Sequence, residues 1–254
     1  MTSILNAFER IQRDEKLKSV EIRPRTNEFT GWSKFGEAES FCFHQVDLKP
    51  SLDELFRNFH KDSLQRKVRR AERDGVVCEE GRSQELLDRF YKLTLLTRRR
   101  HELPPPPLGW FRNLLQCMGE KLTIRVAMKD GAPIAAMMIL SNKDTDVYKY
   151  GCSDARYHNL GSMPFLFWKT IQSAKAEKKQ ALDLGRSDLT NAGLIQFKDR
   201  LGAVRSTLTY RKFPSHSSRT GGAGWKMRAA KRIFSYLPDR LLIHAGKLLY
   251  PHIG

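Results

Sequence analysis

The chain has 254 residues, 40% apolar and 29% charged, with 45 Lys and Arg against 28 Asp and Glu and a formal charge of +17. That length and apolar content predict a sizeable core in one large domain or two small ones. The charge points to polyanionic partners such as nucleic acid, anionic lipid headgroups or phosphorylated ligands, and says nothing of fold.

The longest apolar run, residues 133–140, is about eight residues, against the roughly 20 that a membrane span needs. Met1-Thr2-Ser3-Ile4-Leu5 runs directly into Glu9, Arg10 and Asp14, so a secretory signal is not expected. Cys42, Cys78, Cys117 and Cys152 lie far apart and form no C-x-x-C pair. Zinc and redox motifs are therefore not expected, and reduced thiols in a cytoplasmic protein fit best.

Residues 1–50 are poorly patterned, although Phe41, Phe43 and Val46 suggest a strand closed by Leu48-Lys49-Pro50-Ser51. Ser51 with Glu54 reads as a capping box, and Leu52, Leu55, Phe56 and Phe59 follow at helical spacing. A second helix over 63–74 carries Leu64, Val68 and Ala71 on one face and ends at Gly75. Residues 57–73 hold seven Lys or Arg against two acids, which reads as a solvated face, a phosphate track or a membrane-lying surface.

Ser83 and Gln84 open a helix striped by Leu86, Leu87, Phe90, Tyr91 and Leu95. It ends in Arg98-Arg99-Arg100-His101, cations suited to a helix C-terminus, before the prolines at 104–107. A short helix follows over 110–118. The period then changes to two over 122–128. Lys129-Asp130-Gly131 is a hairpin turn, and 134–140 reads as a strand buried on both sides. Residues 145–151 form a third strand, with Tyr148 and Tyr150 expected on one face.

A polar loop over 153–162 precedes Pro164, which favours a helix onset; Phe167, Ile171 and Ala174 mark that helix. A strand at 181–185, a helix at 193–201 and a strand at 205–212 follow, the last with Ser206, Leu208 and Tyr210 on one side. The expected organisation is an N-terminal segment at 1–50, one domain at 51–213, a Ser/Gly-rich linker at 214–224 and amphipathic helices at 225–254, broken at Pro238. In that tail Lys226, Arg228, Lys231 and Arg232 stand beside Trp225, Ile233 and Phe234, a pattern suited to membrane or partner contact. Three strands, then helix, strand, helix, strand, predict an α/β three-layer domain.

Five segments sharpen this: Gln65-Arg66-Lys67-Val68-Arg69-Arg70-Ala71-Glu72-Arg73-Asp74-Gly75-Val76, Phe90-Tyr91-Lys92-Leu93-Thr94-Leu95-Leu96-Thr97-Arg98-Arg99-Arg100-His101-Glu102-Leu103-Pro104-Pro105, Tyr148-Lys149-Tyr150-Gly151-Cys152-Ser153-Asp154, Leu182-Asp183-Leu184-Gly185-Arg186 and Gly193-Leu194-Ile195-Gln196-Phe197-Lys198. In that order they resemble the FemAB-like branch of the GNAT acyltransferase superfamily. The resemblance implies an α/β/α fold whose mixed, mostly antiparallel sheet is split between central strands. It also implies an acyl thioester in the split, with its pyrophosphate on backbone amides at a helix N-terminus. The better-known Fem proteins carry two such domains and add amino acids from aminoacyl-tRNA to peptidoglycan precursors. Residues 1–50 are too few for a second domain of about 100 residues or more.

On that resemblance, Arg156, Asn159, Leu160, Gly161 and Ser162 stand where the pyrophosphate loop belongs, with Asn159 in place of the usual first glycine. A solvent loop with a good helix cap is the competing reading. Asp183, beside Gly185 and Arg186 at a strand end, is a candidate general base or one half of a structural ion pair. Tyr150 is a candidate proton donor to a leaving thiolate or a core ring. His101 is a candidate base. Arg98, Arg99, Arg100, Ser153, Asp154, Gly185, Arg186 and Lys198 are candidates to hold the acceptor.

The expected function is transfer of an acetyl or other acyl group from acyl-CoA, without a metal, to an amine or hydroxyl of a cell-envelope or polysaccharide-related acceptor. The alternatives are an aminoacyl-tRNA donor, or a non-catalytic basic module for nucleic acid or an anionic membrane. A cytoplasmic location, peripheral on the inner membrane surface in one reading, goes with these.

Overall fold

A computed structural model of the protein describes residues 2–25, 34–214, 234 and 236–250. Residues 215–224 of the expected linker, together with Trp225, Lys226, Arg228, Lys231, Arg232 and Ile233, lie outside the described residues.

In chain order the elements are α1 (Thr2–Asp14), β1 (Val20–Ile22), β2 (Gly36–Asp47), α2 (Leu52–Asn58), a π-turn (Lys61–Gln65) leading into α3 (Arg66–Arg73), β3 (Val77–Gly81), α4 (Gln84–Arg100), α5 (Leu108–Met118), β4 (Leu122–Lys129), β5 (Ala132–Asn142), β6 (Thr145–Ser153), α6 (Ser162–Ala176), β7 (Ala181–Asp188), α7 (Ala192–Arg200), β8 (Val204–Phe213) and α8 (Asp239–Leu249). The sheet order is β1-β8-β2-β7-β6-β5-β4-β3. Pairing is antiparallel for β1–β8, β3–β4, β4–β5 and β5–β6 and parallel for β6–β7. The sheet is mixed, as expected.

Local chemistry explains most boundaries. Ser51 and Glu54 form the predicted capping box on α2, the Glu54 carboxylate accepting the Ser51 N–H at 2.8 Å. Ser83 Oγ accepts the Leu86 N–H at the start of α4. Asp130 and Gly131 both take positive φ, 49° and 76°, the geometry of a two-residue turn between twisted antiparallel strands.

The chain folds into two compact units. One comprises Met1–His44, Arg186–Asp199 and Val204–Gly222; the other comprises Gln45–Gly185, Arg200–Ala203 and Ala223–Gly254. In the larger unit, Leu122, Ile124, Val126 and Met128 of β4 point at Leu87, Phe90 and Phe111 of α4 and α5. The opposite face of the same sheet meets α6, where Thr170 Oγ1 touches Met137 of β5. Two helical layers around a sheet make the three-layer arrangement.

Two expectations change. Residues 1–50 contain a helix, α1, that the sequence pattern did not announce. Ile4 and Ile11 are exposed, and among its described side chains only Leu5 and Glu9 are buried, so its apolar stripe is too thin to read. Tyr148 and Tyr150 do not share a face. The β5–β6 register runs Met138↔Tyr150 and then Ile139↔Tyr148, so Lys149 is an extra residue, a β-bulge. Tyr150 packs edge-on to Phe111, at 5.2 Å, on the α4–α5 side. Tyr148 meets Phe167 of α6, at 4.8 Å, on the other side.

Candidate active site

β6 and β7 pair over three rungs only: Thr145↔Ala181, Asp146↔Leu182 and Val147↔Asp183. Beyond Val147, β6 continues to Ser153 bonded, among the described strands, to β5 alone. The sheet is therefore split between its central parallel strands, and the Lys149 bulge falls where the split opens. Bulges re-aim side chains in this way beside functional sites. Asp183 stands on the last rung, 7% exposed, and its Oδ1 accepts the Gly185 N–H at 2.7 Å. Gly185 holds φ +72°, a conformation that favours glycine. On the facing strand, burial raises the Tyr148 phenol well above its ordinary pKa, and its oxygen lies 1.9 Å from where a Cβ on Gly151 would be. Gly151 must therefore lack a side chain for Tyr148 to hold this position.

The expected donor loop follows β6 directly. Residues Ala155–Leu160 form a 3-10 turn, Gly161 takes φ +72°, and α6 starts at Ser162. Asp154 caps the turn by accepting the Arg156 N–H and pairs with the Arg156 guanidinium at 2.6 Å. The hydrogen bond from Arg156 holds the Asp154 carboxyl below its ordinary pKa. A Cβ on Gly161 would lie 2.6 Å from Lys67 Cβ and 2.7 Å from the Lys67 carbonyl. The glycine thus sets α6 directly against α3. Asn159 is exposed, Leu160 half-buried and Ser162 buried.

The end of α4 closes on the end of β6. Thr97 Oγ1 accepts the Ser153 N–H at 2.9 Å and donates to the Ser153 carbonyl at 3.2 Å, while Arg100 donates to that carbonyl at 3.0 Å. Ser153 Oγ lies 2.9 Å from His158 Nε2. Burial, then Arg100 and Lys67, lower the His158 pKa, so its neutral ring can accept the serine proton. Thr97 and His158 were not singled out in the sequence. His158 lay inside the expected donor loop, but Thr97 gave no signal among the residues of its helix.

The arginine cluster disperses. Arg99 turns to the C-terminal helix, donating to the Leu237 carbonyl at 3.0 Å and to Asp239. Arg98 is half-buried, and desolvation lowers its pKa. His101 is the exposed C-cap of α4; desolvation, then Arg100 and Arg98, lower its pKa. Tyr150 accepts a hydrogen bond from Trp110 Nε1 at 3.0 Å. Burial and Tyr150 together raise the Tyr250 phenol to about 12.

The smaller unit holds Arg186 and Lys198. Arg186 lies 3.9 Å from the Phe41 ring centroid and 5.0 Å from that of Tyr210. Lys198, 3% exposed, donates to Ser187 Oγ at 2.9 Å and to the Arg186 carbonyl at 3.2 Å. His44, fully buried, lies 3.1 Å from Asp199, which also pairs with Arg205. Desolvation lowers the His44 pKa against the opposing pull of Asp199. The alternation Cys42, His44, Val46 along β2 was the available signal for that buried imidazole.

A family profile described as an acetyltransferase (GNAT) domain matches residues 58–199, more than half of the chain. The chain belongs to the GNAT family. As a GNAT protein it is an acyltransferase, and the split sheet is the feature its fold was expected to show. Among solved structures, FemX shares the fold with a TM-score of 0.70 at 14% identity, covering 83% of this chain and 75% of that one. L-PGS from Bacillus licheniformis gives a TM-score of 0.53 at 18% identity, covering 90% and 71%. These likenesses agree with the FemAB-like resemblance in fold. No curated protein sequence matches the chain.

Proposed function

We propose that this GNAT protein transfers an acyl group, acetyl in the simplest case, from acyl-CoA to an amine or hydroxyl acceptor. The carrying observation is the three-rung limit on β6–β7 pairing, followed at once by the turn at Ala155–Leu160 and the α6 N-terminus. The thioester lies in the split, and its pyrophosphate meets the first amides of α6 with Asn159 and Ser162 beside them. The acceptor's nucleophilic atom attacks the thioester carbonyl. Asp183 takes its proton, the C–S bond breaks, and the thiolate leaves to be protonated by Tyr150. Trp110 donates to the Tyr150 oxygen, which leaves the phenol's own hydrogen to give. Within the larger unit, Arg98, Arg100 and His101 are the acceptor-side candidates, and a cell-envelope or polysaccharide-related acceptor follows from the FemAB-like resemblance alone.

A second reading keeps the chemistry and changes the donor to aminoacyl-tRNA. Three observations favour it. Asn159 replaces a loop glycine, Pro164 removes one amide from the first turn of α6, and the chain carries +17. A thermal-shift panel of acetyl-CoA, longer acyl-CoAs and charged tRNA tests both. Ligand at 100 times its Kd stabilises by about 2.7 kcal/mol, so a clear rise with an acyl-CoA is the expected outcome. Stabilisation by charged tRNA with no response to any CoA thioester would replace the first reading by the second.

A further inference from the structure

We infer that the outward face of α8 is a docking surface for an anionic lipid bilayer. α8 has two faces of different character. Leu242 and Gly246, one turn apart, are buried, and a Cβ on Gly246 would lie 2.2 Å from the Pro105 carbonyl. That close approach leaves no space for a side chain at Gly246, and Ile243 packs against the core beside it, so Leu242, Ile243 and Gly246 mark the inward face. Asp239, at the first turn, is taken up by Arg99.

The outward face carries two adjacent rows. Leu241, Ala245 and Leu248 recur at i, i+4 and i+7, and Arg240, His244 and Lys247 recur at the same spacing one position earlier. That spacing puts each row along one side of a helix. Leu241 is 55% exposed and Leu248 62%, large apolar side chains turned to solvent. Among the described residues, neither Arg240 nor Lys247 forms an ion pair. Leu249, beside Leu248, is 39% exposed, and Tyr236, just ahead of the helix, is 87% exposed.

An apolar ridge beside a row of cations is what an interface-lying helix presents to a headgroup layer. Charge decides between occupants. A second copy would bring its own cations against these in a chain of +17, whereas an anionic leaflet neutralises them. No described helix is long and apolar enough to cross a membrane, so contact is by lying on the surface. This inference does not depend on the donor or the acceptor.

The test is sedimentation of the full chain with vesicles of phosphatidylcholine, with and without phosphatidylglycerol. Binding to the anionic vesicles alone, falling with salt, is expected. Each cation near an anionic leaflet is worth about fivefold, so Arg240→Gln with Lys247→Gln lowers affinity at least about tenfold. Leu241→Gln with Leu248→Gln lowers it while leaving every cation in place. All four side chains are exposed, so the unfolding midpoints stay unchanged. Absence of vesicle binding, or full binding by both double variants, would overturn the inference. A dimer in sedimentation equilibrium that Leu248→Gln dissolves would overturn it too and give the face to a second copy.

Discussion

A single substitution can separate the contact that Asp183 makes with Gly185 from the general-base role proposed for it. Its Oδ1 accepts the Gly185 N–H, which an asparagine oxygen can also do, but asparagine cannot take a proton. Asp183→Asn should keep the melting temperature and lower thiol release about 10²–10⁴-fold, the usual worth of a general base. Unchanged turnover in a folded Asp183→Asn protein would leave the residue a turn-former only. Gly161 is constrained twice, by φ +72° and by Lys67 at 2.6 Å. Left-handed backbone costs a non-glycine residue about 1–2 kcal/mol, and the clash with Lys67 adds to it. Gly161→Ala should therefore lower the melting temperature and weaken donor binding together. His44 gives the pH response. Its folded pKa lies below the ordinary 6.5 because it is buried, so the unfolded chain binds a proton first as pH falls. The stability is complete above about pH 6.5 and is lost as pH drops from there toward the folded value. In chemical denaturation across that range, His44→Gln should flatten the slope.

At the scale of elements, packing rather than helix propensity fixes how the pieces meet. α8 is tied at its start by Arg99, which reaches both the Leu237 carbonyl and Asp239. The Asp239 side chain is 59% exposed, so solvent screens the pair and its worth stays under about 1 kcal/mol. Arg99→Ala should thus leave global stability nearly unchanged and speed amide hydrogen exchange in α8 selectively. Equal slowing or speeding across α4 and α8 would mean that the tie is not local. Phe111 tells the opposite story. It is fully buried and meets Phe90, Tyr91 and Tyr150 edge-on. Phe111→Ala should cost about 3–5 kcal/mol in equilibrium unfolding.

At the scale of the molecule, the positive charge separates the two donors without knowledge of the acceptor. A nucleic acid gripped by six to ten phosphate contacts loses about 10³–10⁵ in affinity between about 50 and 200 mM salt. A CoA thioester presents few charges and binds through backbone amides and packing, so its thermal shift should change little over the same range. A salt-steep tRNA response beside a flat CoA response would identify which ligand is held by a formed site.

Much of this architecture was legible in the sequence because it is written locally. The Ser51–Glu54 box, the Asp130-Gly131 turn, the stop at Gly75 and the alternation along β4 each depend on residues within a few positions of one another. The order of strands and helices from residue 122 followed from them, and with it the α/β class. The candidate loop before α6 and the carboxylate on β7 were visible for the same reason. What pairs across the sequence was not visible. The bulge at Lys149, which sends Tyr148 and Tyr150 to opposite faces, exists only against the register of β5. The point where β6 leaves β7, the grip of Thr97 on Ser153, the turn of Arg99 toward Asp239 and the contact of Gly161 with Lys67 each join residues distant in the chain. Periodicity and capping rules see one element at a time, and hydrogen bonds between elements are chosen by the packed fold.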